Sequence, residues 1–122
     1  MGGSAGATTR TVRRGEVYLL DLSREGGRLT KKRPVLIVQN DVGNSRSRET
    51  IVLAVRDPHG GRILPIFVPI SGGLGGLTKD SIVDAGHINT VAKDRLGQRL
   101  GALPPRVMAQ VGQAMRISLD LI

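Results

Sequence analysis

The chain has no cysteine. That excludes a disulfide framework and any thiolate metal site, and it suits a reducing compartment. It also has no long apolar run: nothing approaches the ~20 residues that cross a bilayer as a helix, and no signal-peptide core follows the first methionine. A soluble, cytoplasmic protein without membrane contact is expected. Aromatic residues are scarce, Tyr18 and Phe67 being the only two. Modules that read nucleic acid by stacking bases on exposed rings need more of them. Acidic residues are also few: ten Asp and Glu stand against eighteen Lys and Arg, a net charge of +8. Within that excess lysine is the minority, with Lys31, Lys32, Lys79 and Lys93 the only four. Arginine presents a planar fork that grips phosphate bidentately, where lysine is a point charge. A polyanionic partner held by arginines, backbone and loops follows, against the plainer possibility of a basic but inert surface.

What is present fits one domain with a modest core. Residues 1–11 are rich in Gly, Ala, Ser and Thr and read as a flexible arm; residues 12–122 form the domain. Strands are predicted over Gly15–Leu22, Arg33–Gln39, Thr50–Val55 and Asp80–Ala85, with short elements at Ile88–Val91 and Arg99–Ala102. Ile63–Ile70 is β-rich, but Pro65 and Pro69 lack amide donors and make it an edge strand. Asp41–Arg48 carries Gly43, Asn44 and Ser45, a turn composition. Pro104-Pro105 opens a helix whose apolar face comprises Val107, Met108, Val111, Ala114, Met115, Ser118 and Leu119. Short strands and a final helix suggest a mostly β fold, a small bent sheet or barrel capped by helix.

Lys32-Arg33-Pro34-Val35-Leu36-Ile37-Val38-Gln39-Asn40-Asp41 is the most informative stretch. Pro34 fixes its own φ and drives Arg33 out of helical conformation, so the strand starts abruptly. The apolar run behind it suits burial on both faces. Arg33 thus becomes a cation on a rigid element, where a phosphate can meet it.

This stretch resembles the MazF/PemK family of bacterial toxin endoribonucleases. So do Arg14-Gly15-Glu16-Val17-Tyr18-Leu19-Leu20-Asp21-Leu22, Asn40-Asp41-Val42-Gly43-Asn44, Thr50-Ile51-Val52, Gly76-Leu77-Thr78-Lys79-Asp80-Ser81-Ile82-Val83, Asp94-Arg95-Leu96-Gly97 and Arg116-Ile117-Ser118-Leu119, in the family's order. The resemblance implies an SH3-like β-barrel of the MazF/PemK/CcdB type that dimerises. It implies metal-independent, often sequence-selective cleavage of single-stranded RNA (mRNA), no cofactor, and inhibition by a cognate MazE-like antitoxin whose tail occupies the RNA groove. It also implies a catalytic role for Arg33. The family's usual Ser or Thr at the end of the third strand is replaced here by Arg56, followed by Asp57. Its first-loop Gly-Ser-Glu-Gln is replaced by Gly26-Gly27-Arg28-Leu29-Thr30, and its Glu-Gln-Ile-Arg-Thr by Gly86-His87-Ile88-Asn89-Thr90.

Metal-free RNA cleavage needs a base near the 2′-OH, an acid near the leaving oxygen and positive charge for the phosphorane oxygens. Arg33 suits the last role, a strand-end ion pair being the alternative. Arg56 offers a second guanidinium, unless it merely pairs with Asp57 or Glu49. His87 suits proton transfer, though a lone histidine is more often ordinary surface; His59 falls in a turn. Thr50 and Glu49 are further catalytic candidates, with capping or turn bonding as the alternative. Arg24, Arg28, Lys31, Lys32, Asn40, Arg48 and Asn89 are the candidates for RNA binding. Gly72-Gly73-Leu74-Gly75-Gly76 lacks the Gly-Lys-Ser/Thr ending of a nucleotide loop. Two histidines without a carboxylate cluster offer no zinc site. Two other readings remain: a non-nuclease toxin on the same fold, such as a gyrase inhibitor, and a basic RNA-binding barrel.

Overall fold

The alternation of apolar residues along the strands produces two cores on one sheet. In the computed structural model, which describes residues 10–21, 31–58 and 60–121, the strands are β1 (Glu16–Asp21), β2 (Lys32–Ile37), β3 (Glu49–Arg56), β4 (Phe67–Ile70), β5 (Ser81–Ala92) and β6 (Leu96–Ala102). The helices are α1 (Asp41–Arg46) and α2 (Pro105–Leu119), with 3₁₀ turns at Leu74–Gly76 and Lys93–Arg95. All strand pairs are antiparallel, in the order β4-β5-β3-β2-β1-β6. Val17, Leu36, Val38, Leu53 and Val55 pack on one face with Val107, Val111 and Ala114 of α2. Their chain neighbours Tyr18, Val35, Ile37 and Val52 pack on the other with Val12, Leu20 and Leu96. Successive side chains of a strand point to opposite faces, so both faces of β1, β2 and β3 are buried. The sheet is barrel-like but open among the described residues, with β4 and β6 at its edges.

Five expectations are corrected. The Asp41–Arg48 turn is largely helix α1. Asn40 caps it by accepting from the Gly43 amide at 2.8 Å, and the buried Asn44 anchors it from inside, which outweighs the weak propensities of Gly43 and Ser45. β4 starts only at Phe67; Ile63 and Leu64 are exposed, since Pro65 has no amide to extend the ladder. The two elements expected around Asp80–Ala85 and Ile88–Val91 are one strand, β5, joined through a bulge. Finally, Arg10 does not belong to a free arm: its guanidinium donates to the Leu96 carbonyl and, at 3.0 Å, to that of Gly97. Residues 1–9 lie outside the described part. On α2, Leu119 is exposed rather than on the buried face.

The glycine loop serves packing. Gly76 has φ +77°, and a Cβ there would lie 1.9 Å from the Leu100 carbonyl oxygen; one on Gly101 would lie 2.6 Å from the Gly75 carbonyl carbon. Only glycines let this loop close on β6.

Candidate functional site

Strand register brings Arg33 and Arg56 together. The β2–β3 ladder ends at Val35 and Ala54, and Arg33 and Arg56 each lie two residues beyond that pair, at adjoining strand ends. The two arginines also line one cavity of about 390 Å³, whose other walls include Pro34, Val55, Leu77 and Lys79. Arg33 is exposed. Among the described residues it has no ion-pair partner. Lys31 and Lys32, also exposed, precede it on the same strand end.

Arg56 is held, but not by Asp57 or Glu49. Its Nη2 lies 3.2 Å from Oδ2 of Asp84, and its guanidinium carbon sits 5.1 Å from the centroid of the Phe67 ring. Asp57 instead faces Lys79 at 3.4 Å. Asp84 is a site residue that the sequence reading missed. Its side chain is 4% exposed, and a carboxylate so buried requires charge and hydrogen-bond partners. It has three: Arg56, the Gly86 amide donating to Oδ1 at 2.8 Å, and Nδ1 of His87 at 3.1 Å from Oδ2. The bulge in β5 makes this possible. Leu53 pairs with Ile88 but the next residue, Ala54, pairs with Asp84. Ala85, Gly86 and His87 are therefore extra on the β5 side, which turns His87 back over Asp84 while leaving it exposed. An Asp followed two residues later by Gly, with His after it, was the available signal.

A model of the PemK-like, MazF-like toxins of type II toxin–antitoxin systems matches residues 13–119. The chain belongs to that family. It is 40% identical over 111 residues to the endoribonuclease MazF of Staphylococcus epidermidis, covering 90% of this chain and 92% of the relative. It is 38% identical over 116 residues to the endoribonuclease EndoA of Bacillus subtilis, covering 91% of this chain and 97% of the relative. Among solved structures, an endoribonuclease in complex with its cognate antitoxin from a mycobacterial species matches with a TM-score of 0.76 at 29% identity, over 91% of this chain and 97% of that one.

Other residues singled out from the MazF/PemK resemblance do not gather around Arg33. Thr50 and Glu49 open β3, six residues or ~20 Å from Arg56 for Thr50. Thr50 is fully buried and its hydroxyl donates to Oδ1 of Asn44 at 2.7 Å. Glu49 is exposed and its carbonyl accepts from Gln39. Asn40 is the α1 cap, and Arg48 is exposed beside Glu49. Asn89 is exposed and pairs with Val52 partway along β3. Arg24 and Arg28 lie outside the described residues, as does His59.

The far end has an order of its own. The Asn44 amide donates to the Gln39 carbonyl and to Asp41 at 3.0 and 3.1 Å, and its carbonyl oxygen also accepts from Gln39 at 3.0 Å. The buried ammonium of Lys93 donates to the Asn44 main-chain carbonyl. Burial pushes the Lys93 pKa down. The Arg14 amide, with Asn44, holds the Asp41 carboxyl below its usual range. The Gln-Asn-Asp-Val-Gly-Asn segment of the family resemblance is thus a satisfied structural hub. Among the described residues, no group of three or more His, Cys, Asp or Glu could hold a metal ion, and no helix is long and apolar enough to cross a membrane.

Proposed function

We propose that this protein is the toxin of a type II toxin–antitoxin pair and acts as a sequence-selective endoribonuclease on single-stranded RNA in the cytoplasm. The 2′-OH attacks the neighbouring phosphorus, the P–O5′ bond breaks, and a 2′,3′-cyclic phosphate and a 5′-OH result. Because the nucleophile belongs to the substrate, no water has to be immobilised and no metal is required to activate one. The observation that carries the reading is that Arg33 and Arg56 line one cavity, in a member of the MazF/PemK family whose curated relatives are named endoribonucleases. Arg33, which has no ion-pair partner among the described residues, offers its guanidinium to the phosphorane oxygens. Arg56, stacked on Phe67 and braced by Asp84, offers a second one that grips the flanking phosphate. His87 supplies the titratable group beside them.

The partners follow from the same charge. A cognate MazE-like antitoxin would present an extended acidic tail that competes with RNA, and a symmetric homodimer would place two such patches together. Purified protein on single-stranded RNA in EDTA tests the reading. Cleavage leaving a 2′,3′-cyclic phosphate is expected. RNA neither bound nor cleaved would favour a non-nuclease toxin, which the replacement of the usual hydroxyl by Arg56 keeps as the second reading, whereas RNA bound without cleavage would favour a basic RNA-binding barrel.

A further inference from the structure

The missing hydroxyl has a structural replacement. The geometry points to Asp84 as the positioning residue of a His87–Asp84 dyad, in which His87 Nε2 is the general base for the 2′-OH. This rests on the ribonuclease reading above and adds the residue that makes His87 usable. A carboxylate paired with an arginine can only accept hydrogen bonds, so the His87 Nδ1 that faces Asp84 Oδ2 at 3.1 Å carries the proton. The lone pair of the neutral ring is then on Nε2, on a side chain that is 64% exposed. Asp84 itself cannot swing away: it is buried, and its other oxygen is tied to the Gly86 amide. The same Oδ2 binds Arg56, so one buried carboxylate sets both the base and the phosphate-gripping arginine in a fixed relation.

The step balances without any added reagent but water. His87 Nε2 takes the 2′-OH proton as the O2′–P bond forms. The P–O5′ bond breaks, the departing oxygen takes a proton from water, and the imidazolium returns its proton to solvent. Asp84 stays ionised throughout and stabilises the imidazolium that forms.

Long-range ¹H–¹⁵N spectra of the protein above the histidine titration range read the tautomer directly, with His87→Gln assigning the signal against His59. The Nδ1–H form is expected for His87, and the Nε2–H form would overturn the dyad. This measurement needs no variant of Asp84 to fold. In single-turnover cleavage at saturating RNA, Asp84→Asn should lose ~100-fold in rate. The double variant Asp84→Asn/His87→Ala should be within about threefold of His87→Ala alone, because both changes disable one unit. Additive losses would show that Asp84 does not act through His87 and would overturn the positioning role. Wild-type protein that cleaves no RNA would sink the ribonuclease reading and the base role with it, while the tautomer still decides whether Asp84 orients the ring.

Discussion

At the scale of single residues, the proposed chemistry turns on which cations are already held. Arg33 has no ion-pair partner among the described residues, whereas Arg56 is already held by Asp84 and Phe67. Arg33→Ala should therefore cut the cleavage rate ~100- to 1000-fold with an unchanged far-UV spectrum. A folded variant within a few-fold of wild type would remove Arg33 from the chemistry. Arg56→Ala should mainly raise the RNA concentration needed, leaving turnover nearly unchanged, which a kcat and KM comparison separates. Arg33 was legible because Pro34 fixes the start of its strand. Asp84 was not read, because the Asp84-Ala85-Gly86-His87 order hints at a turn, and only the bulge shows that His87 comes back over the carboxylate. Thr50 misled for the opposite reason: a hydroxyl beside a strand looks available until Asn44 is found beneath it. The acid limb of stability depends on Asp41. Its folded pKa is lowered, chiefly by the Arg14 amide, so its contribution is present above the ordinary value of 3.8 and is lost as pH falls through the folded value. Urea midpoints measured downward from pH 5 should fall less steeply in Asp41→Asn than in wild type.

At the scale of elements, side-chain anchoring and backbone contact override local composition. Gly43, Asn44 and Ser45 look like a turn, yet α1 forms because Asn40 caps it and Asn44 bonds inward to Gln39, Asp41 and Thr50. The β1, β2 and β3 strands were legible from their apolar runs, and α2 from its spacing and its Pro105 start. The glycine loop was not, since its purpose lies in a distant strand. Gly76 combines a positive φ with a Cβ position inside the Leu100 carbonyl. Gly76→Ala should cost ~2–3 kcal/mol, seen as a Tm drop of roughly 10 °C or more. Gly60→Ala makes the control: its φ is also positive, at +71°, but among the described residues nothing lies within 4 Å of the added Cβ. The backbone strain then acts alone, and the loss should be about half or less. Equal losses in the two variants would show that the loop's contact with β6 carries no stability.

At the scale of the whole molecule, the +8 net charge and the shortage of rings set how the proposed RNA substrate would be held. Each of the two rings carries a guanidinium: Tyr18 lies under Arg10 and Phe67 under Arg56, each at 5.1 Å. Tyr18 is buried as well. Base stacking thus has little to work with, and binding falls to phosphate contacts by arginine and lysine. Such contacts release counterions from the nucleic acid, which makes affinity salt-dependent. Arg33, Arg56, Lys31 and Lys32 together can neutralise about four phosphates, so log K against log salt should slope near −3 on a single strand. Removing one member tests the assignment more sharply than the slope itself. Lys32→Ala, on the exposed strand end beside Arg33, should flatten the slope by about 0.7 and weaken binding at low salt, whatever the RNA sequence. A flat salt response in the wild type would mean that base contacts rather than charge hold the strand. An unchanged slope in Lys32→Ala would mean that the RNA runs along another part of the surface.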